Sequence, residues 1–423
     1  MANQVFVFLP VVNFIWANYY RLRYLILERK NLNSKEEYSE FRVFSCASVV
    51  KKLAPLELIR NVLSPSTTDL NEWKLYLSDD SFYQFMGREG LVGLVYHRFH
   101  QGMNEKILSR WRQGYLSTAS YNILLLNELI ELYKVFQKEQ IEPILLKGTA
   151  LFFSIYRESL GIRPVCDVDM HVQSGHLEQL KLCLNHFQFV QSPNYPTTFT
   201  KNLPSGNLIV DIHTELINID RVSSRKYLPM QISNLSKRHV VFENAVFWVP
   251  QDEDHFVYLA VHLVLHHGME RALWLWDLIQ ISSSKHFNWD KVLERTIEWR
   301  VEKIMYFTLL KLQQVAPENV PHNILKQLQP QKYAWMEKKC WNMAVSHSYI
   351  PNIRYALTFF LFDNLKYKLV YLKELLFPAS GGLMAFLNFR QNTSRMGIVI
   401  SYLQLWVKII GWSLRWIRAV LVK

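Results

Sequence analysis

The stretch RPVCDVDMHV, residues 163–172, sets two carboxylates, Asp167 and Asp169, into an otherwise apolar, strand-like run. Residues i and i+2 of a strand share a face, so the two acids point the same way, their Cα atoms ~6.6 Å apart. Like charges side by side repel, and burying them is costly unless something positive lies between them. A second strand-like run, LIVDIHTEL (208–216), carries Asp211, with His213 two positions on and on the same side. If the two strands pair at ~4.8 Å, three carboxylates converge on one patch. Hard, oxygen-rich sites of this kind suit Mg²⁺, with Mn²⁺ as the alternative. Two such ions ~3.5–4 Å apart form a clamp for in-line displacement at phosphorus.

A phosphate cradle is expected close by, and LLKGTAL (145–151) has its parts. It reads as a strand, then Gly148 to let the backbone approach, then the Thr149 hydroxyl, then a helix start. Amides at a helix N-terminus bind anions. The expectation is therefore that Lys147, Gly148 and Thr149 grip a phosphate group, with Arg163 neutralising charge. His213 is expected to orient Asp211 or touch the acceptor. Two other readings of the acids are a solvated surface strand and the Mn²⁺-binding DxD of glycosyltransferases. The second normally comes late in a larger doubly wound sheet, and no such sheet is legible upstream.

Outward from this core the grammar is helical, which predicts an α+β protein: a small mixed sheet with helices, flanked by N- and C-terminal helical regions. Residues 1–138 form the first region, 139–250 the core, and 251–423 the last, ending in a basic, Trp-rich tail. Within the core, IEPILLKG (141–148) is read as a strand and TALFFSIYRE (149–158) as the helix it feeds. Ser174 is read as the cap of a helix with stripe Leu177, Leu180 and Leu184, residues 192–206 as a loop, and 242–250 as one further strand.

Composition narrows the class. Half of the 423 residues are hydrophobic, ample for a packed core. Cys46, Cys166, Cys183 and Cys340 form no CxxC pair, so neither a zinc ribbon nor a disulfide framework fits, and a reducing cytosol is the expected compartment. The opening MANQVFVFLPVVNFIW is too short for the ~20 residues of a span and has its basic residues after the apolar run, the reverse of an export signal. It is expected to be a buried helix or an upstream extension of the true start.

Two further features call for explanation. His255, His262 and His266 share a helical face, with His267 adjacent. No Glu follows His262 as zinc proteases require, and no Asp follows His266 as His-Asp phosphohydrolases require. The favoured reading is a polar domain contact, with contact to nucleotide or acceptor as the alternative. Arg271 and Asp277 have the same status, and Trp274 and Trp276 are read as core. The formal charge is +12, and the last 60 residues hold nine Lys or Arg against one acid, Glu374. Within them, 397–423 reads as a helix that packs internally or contacts a membrane surface peripherally, with packing slightly favoured. Its basic residues match no nucleic-acid motif, so nucleic acid is not favoured as a partner.

The order of LLKGTAL, RPVCDVDMHV and VDIHTEL resembles the DNA polymerase β-like nucleotidyltransferase superfamily. With the HLVLHH…WLWDL segment, it looks like the uncharacterised bacterial nucleotidyltransferase family, well over residues 140–290 and loosely in the flanks. The resemblance implies a polymerase β-like core that moves a nucleoside monophosphate from an NTP to a hydroxyl on a small molecule or protein, releasing pyrophosphate. It implies that Asp167 and Asp169 bind two Mg²⁺ ions and that Asp211 binds the catalytic one and helps activate the hydroxyl. The turn departs from the family's usual pattern, with Thr149 in place of Ser and Lys147 before the glycine. The rival reading is a non-catalytic nucleotide-binding or scaffold protein on the same fold.

Overall fold

The computed structural model describes residues 55–63, 70–193, 195–203, 206–217, 222–230, 232, 235–346, 352–378 and 395–422. The apolar N-terminal stretch and Cys46 lie outside them. Helices α1 (Pro55–Leu63), α2 (Leu70–Ser78), α3 (Asp80–Glu89) and α4 (Val92–Phe99) lead into the long α5 (Glu105–Lys138). Asp79 caps α3 by accepting from the Phe82 amide at 3.0 Å, and Gly90 closes it at φ 77°, a conformation that favours glycine. Asn104 caps α5 in the same way, and α5 buries a stripe of Leu125, Leu129, Leu132, Tyr133 and Phe136.

The sheet follows as β1 (Ile144–Leu145), β2 (Val168–His171), β3 (Val190–Gln191), β4 (Thr198–Leu203), β5 (Gly206–His213), β6 (Lys237–Phe242) and β7 (Ala245–Pro250). Helix α6 (Lys147–Leu151) leaves β1, and α7 (Leu177–His186) lies between β2 and β3. The strand order is β3-β4-β5-β2-β1-β7-β6, with β2/β5 and β1/β7 parallel and the other neighbours antiparallel. The protein is thus α+β with a mixed sheet and helical flanks, as its sequence predicts.

Details differ from the sequence reading. The 192–206 segment holds β4, and 242–250 takes in the end of β6, a turn and β7, so the strand expected there is the second arm of a β6/β7 hairpin. Glu243 and Asn244 form its turn with φ of 44° and 64°, the left-handed pair that a two-residue hairpin loop requires. Ser174 starts a short 3₁₀ turn and makes no cap; Gln173 precedes it, also without a side-chain cap bond. Cys166, Cys183 and Cys340 are free.

The chain forms two compact units. The first holds α1 to α7, the sheet and residues Arg271–Gln280, most of α9 (Ala272–Ser282). Tyr133 anchors α5 to the sheet, its hydroxyl donating to the Pro143 carbonyl at 2.9 Å and its ring 4.5 Å from that of Phe247.

The second unit holds Glu215–Leu235, Asp252–Glu270 with α8 (Asp252–His267), and the chain from Ile281 onward. Its helices are α10 (Trp289–Glu298), α11 (Glu302–Val315), α12 (His322–Leu328), α13 (Trp335–Val345), α14 (Ile353–Leu361), α15 (Leu365–Leu376) and α16 (Arg395–Val422). Phe307 and Trp341 stack in its core with centroids 4.5 Å apart. Among the described residues no helix is long and apolar enough to cross a membrane.

Candidate active site

The parallel pairing of β2 with β5 sets Val168 against Val210, Asp169 against Asp211, Met170 against Ile212 and His171 against His213. Alternation does the sorting. Val168, Met170, Val210 and Ile212 go to one face and into the core, which leaves the acids and histidines on the other. Asp167, just before β2, joins them. One oxygen from each of Asp167, Asp169 and Asp211 lies within 4.8 Å of the others, a group that could hold a metal ion. Asp167 is the most open of the three and Asp169 is buried.

The positive charge these acids need is partly supplied by the protein itself. Lys147 Nζ lies 2.5 Å from Asp169 Oδ1, and His213 Nε2 lies 2.7 Å from the same oxygen. An ionised carboxylate only accepts, so His213 Nε2 carries the proton of that bond. Burial works against ionising Asp169, but Lys147 and the His213 hydrogen bond hold it well below the usual carboxylate range. Among the described residues no cation is hydrogen-bonded to Asp167 in this way. The surrounding protein and the charge of Asp169 push it up to about 7, against the pull of Lys147. The cluster could therefore take up one more positive charge, a proton or a cation.

The KGT turn works differently from the expected cradle. Lys147, not Gly148, has the left-handed φ, 50°. Gly148 is required for space: a Cβ there would lie 2.1 Å from Arg163 Nη1 and 2.5 Å from Arg163 Cζ. Thr149 is buried, and its hydroxyl donates to the Asp167 carbonyl at 3.1 Å, so it secures the DxD strand rather than facing a ligand.

Arg163 is not presented to a phosphate either. It is buried against Gly148 and paired bidentately with Asp277, Nε to Oδ1 at 2.8 Å and Nη2 to Oδ2 at 2.7 Å. Asp277, fully buried, also accepts from the Tyr156 hydroxyl at 2.9 Å, which makes it a structural partner of the turn and not a ligand contact. A guanidinium buried this deeply needs a carboxylate, and satisfying it removes it from the site. His213, expected on Asp211, serves Asp169.

Two residues of the site escaped the sequence reading. Thr198 Oγ1 donates to Asp211 Oδ1 at 2.5 Å, from the segment read as loop; the alternation of Thr198, Phe199 and Thr200 was the available signal. Asn122, buried on α5, donates to the carbonyls of Leu160 and Arg163 at 2.7 and 2.8 Å and fixes the approach to the DxD strand. A lone Asn in an apolar stripe gave no such signal. Burial and the charge of Asp167 push the Cys166 thiol up to about 12, which disfavours its thiolate at neutral pH.

The histidine face belongs to the second unit. His262 and His266 stack with centroids 4.7 Å apart, and His267 Nε2 lies 3.0 Å from His262 Nε2. His255 is buried on the same helix. These histidines form no three-ligand group; among the described residues the aspartates alone do.

A family model described as an uncharacterised nucleotidyltransferase matches residues 77–317, more than half of the chain. The chain belongs to that family. The match of this nucleotidyltransferase family covers the KGT turn, the three acids and the Asp277 segment. No curated protein and no solved structure matches the chain.

Proposed function

We propose that the protein transfers a nucleoside monophosphate from an NTP to a hydroxyl-bearing acceptor, a small molecule or protein, with release of pyrophosphate. The observation that carries this reading is the register of Asp169 against Asp211, which gathers three carboxylates beside the KGT turn. The donor set fits a hard divalent cation, Mg²⁺ or Mn²⁺: three acidic oxygens close together, with Asp167 still short of a positive partner. Asp167, Asp169 and Asp211 would hold it, and when bound it supplies charge neutralisation at the phosphoryl group and a lowered pKa for the attacking hydroxyl.

The chain's own residues do the rest. Lys147 and His213 fix Asp169 through Oδ1 and leave its second oxygen for a cation. Thr198 holds Asp211 by a hydrogen bond, and in this reading Asp211 assists in removing the proton of the acceptor hydroxyl. The Lys147 ammonium adds positive charge for the triphosphate. A second reading, a non-catalytic nucleotide-binding protein, draws on the same contact, because Lys147 already serves as a resident cation for Asp169.

Incubation with labelled NTPs, Mg²⁺ or Mn²⁺ and cell extract, followed by mass spectrometry, separates the two. Asp211→Asn keeps an oxygen for the Thr198 hydroxyl and removes the charge. A nucleotidyl mass formed by the wild type and lost in this folded variant supports transfer. NTP binding without any transfer product, equal in both proteins, supports the second reading instead.

A further inference from the structure

Helix α16 is apolar on two faces. Tyr402, Trp406 and Ile409 pack around buried Leu405. Ile400, Leu403, Val407, Ile410 and Leu414, spaced three, four, three and four residues apart, lie exposed, Val407 at 69 % and Leu414 at 62 %. Helix α15 repeats the pattern with exposed Leu365, Leu369, Leu372 and Leu376, followed by exposed Phe377. The two helices are tied together where α15 ends: Trp406 Nε1 donates to the Leu376 carbonyl at 2.9 Å and the Tyr402 hydroxyl to the Pro378 carbonyl at 2.8 Å. Each helix thus presents a stripe of apolar side chains at helical spacing to water, which marks a surface suited to an apolar partner.

The charge of this region says what fits the surface. From Asn364 to Lys423 there are nine basic residues and one acid. Lys366, Lys373 and Lys408 are exposed on these two helices. The one acid, Glu374, is occupied by the amides and hydroxyls of Ser223 and Ser224. A second copy of the chain seated here would bring two strongly basic faces together. An anionic bilayer complements both the stripes and the charge, and since neither helix can cross it, they would lie along it. We propose that α15 and α16 form a lipid-binding surface that seats the second unit on an anionic membrane.

The test is co-sedimentation of the full-length protein with phosphatidylglycerol vesicles and with phosphatidylcholine vesicles, alongside size-exclusion chromatography with light scattering. The expected result is salt-sensitive binding to the anionic vesicles that is lost in Val407→Asp. Lys366→Gln and Lys373→Gln, which leave the apolar stripe intact, should each weaken it about fivefold, the equivalent of ~1 kcal/mol per basic residue. All three positions are exposed, so unchanged thermal transitions would show the variants to be folded; should Val407→Asp misfold, the lysine variants carry the test. Equal binding to both vesicle types, binding untouched by any of the substitutions, or a dimer that binds no vesicles would each overturn the proposal.

Discussion

Replacing Asp277 with alanine is expected to cost about 3–5 kcal/mol of folding stability. Arg163 is 2 % exposed, and both its strong bonds, at 2.8 and 2.7 Å, go to Asp277. Without that carboxylate the guanidinium keeps the Pro164 carbonyl, 3.1 Å from Nη1, and the Tyr156 hydroxyl loses its acceptor as well. The loss is a large fraction of the ~5–15 kcal/mol that holds a typical domain together. Because the chain has two compact units, the measurement should resolve them. Hydrogen exchange read separately in peptides covering 144–172 and 302–345 does so, and the first set should open while the second is spared. Exchanging both partners for apolar residues, Arg163→Met with Asp277→Leu, should recover part of the loss, because no charge is left buried and what remains is the ~1–3 kcal/mol of the Tyr156 hydroxyl without its acceptor. A single variant within ~1 kcal/mol of the wild type, or a double variant no better than the single, would refute this account of the pair.

Gly148→Ala should cost ~1–3 kcal/mol by thermal melt, because Arg163 is held by Asp277 and cannot yield to the new methyl; Arg163→Met should suppress the defect. Asp169→Ala should lower the melting temperature, since it removes the carboxylate oxygen that Lys147 and His213 share, whereas Asp167→Asn should raise it at neutral pH by removing a crowded charge. Mg²⁺ or Mn²⁺ should raise the melting temperature of the wild type and not of Asp211→Asn. Burial pushes the Glu374 carboxyl up, but hydrogen bonds from Ser224 and Ser223 outweigh it and hold the pKa below the ordinary value. A depressed carboxylate stabilises above its unfolded pKa and loses that contribution as pH falls through the folded one. The gap in melting temperature between wild type and Glu374→Gln should therefore be widest at neutral pH and close on acidification.

The fold was legible where periodicity and chemistry coincide. The DxD strand and the DIH strand announce themselves because burying one face of each forces alternation, and that alternation places Asp169 and Asp211 where pairing can join them. The β6 strand and β4 were not legible for opposite reasons. Lys237 to Phe242 lies at the sheet edge and alternates only in partial burial, while β4 is hidden inside a segment whose Pro, Asn and Ser suggest a loop. Side-chain roles within the site were the least legible. LKGT reads the same whether its hydroxyl meets a phosphate or a carbonyl, and Arg163 reads the same whether it faces a phosphate or Asp277, more than a hundred residues away. Long-range ion pairs leave no local pattern.

On the proposed reading, a lysine and a metal are not rivals at this cluster. If Lys147 fully satisfied the site, all three acids would be held in their ionised range. Instead the two contacts fall on one oxygen of Asp169, which is held well below the ordinary range, while at Asp167 the pull of Lys147 is outweighed by the surrounding protein and by Asp169, and its carboxyl is pushed up to about 7. A single ammonium fixed at one end of a three-carboxylate patch stabilises the carboxylate it touches and leaves the far one crowded. The left-handed φ of Lys147 matters to this, because it belongs to the backbone turn that delivers the ammonium to Asp169. The arrangement positions one acid firmly and keeps another short of positive charge, which is what a site must do if its remaining charge is to come from outside the chain.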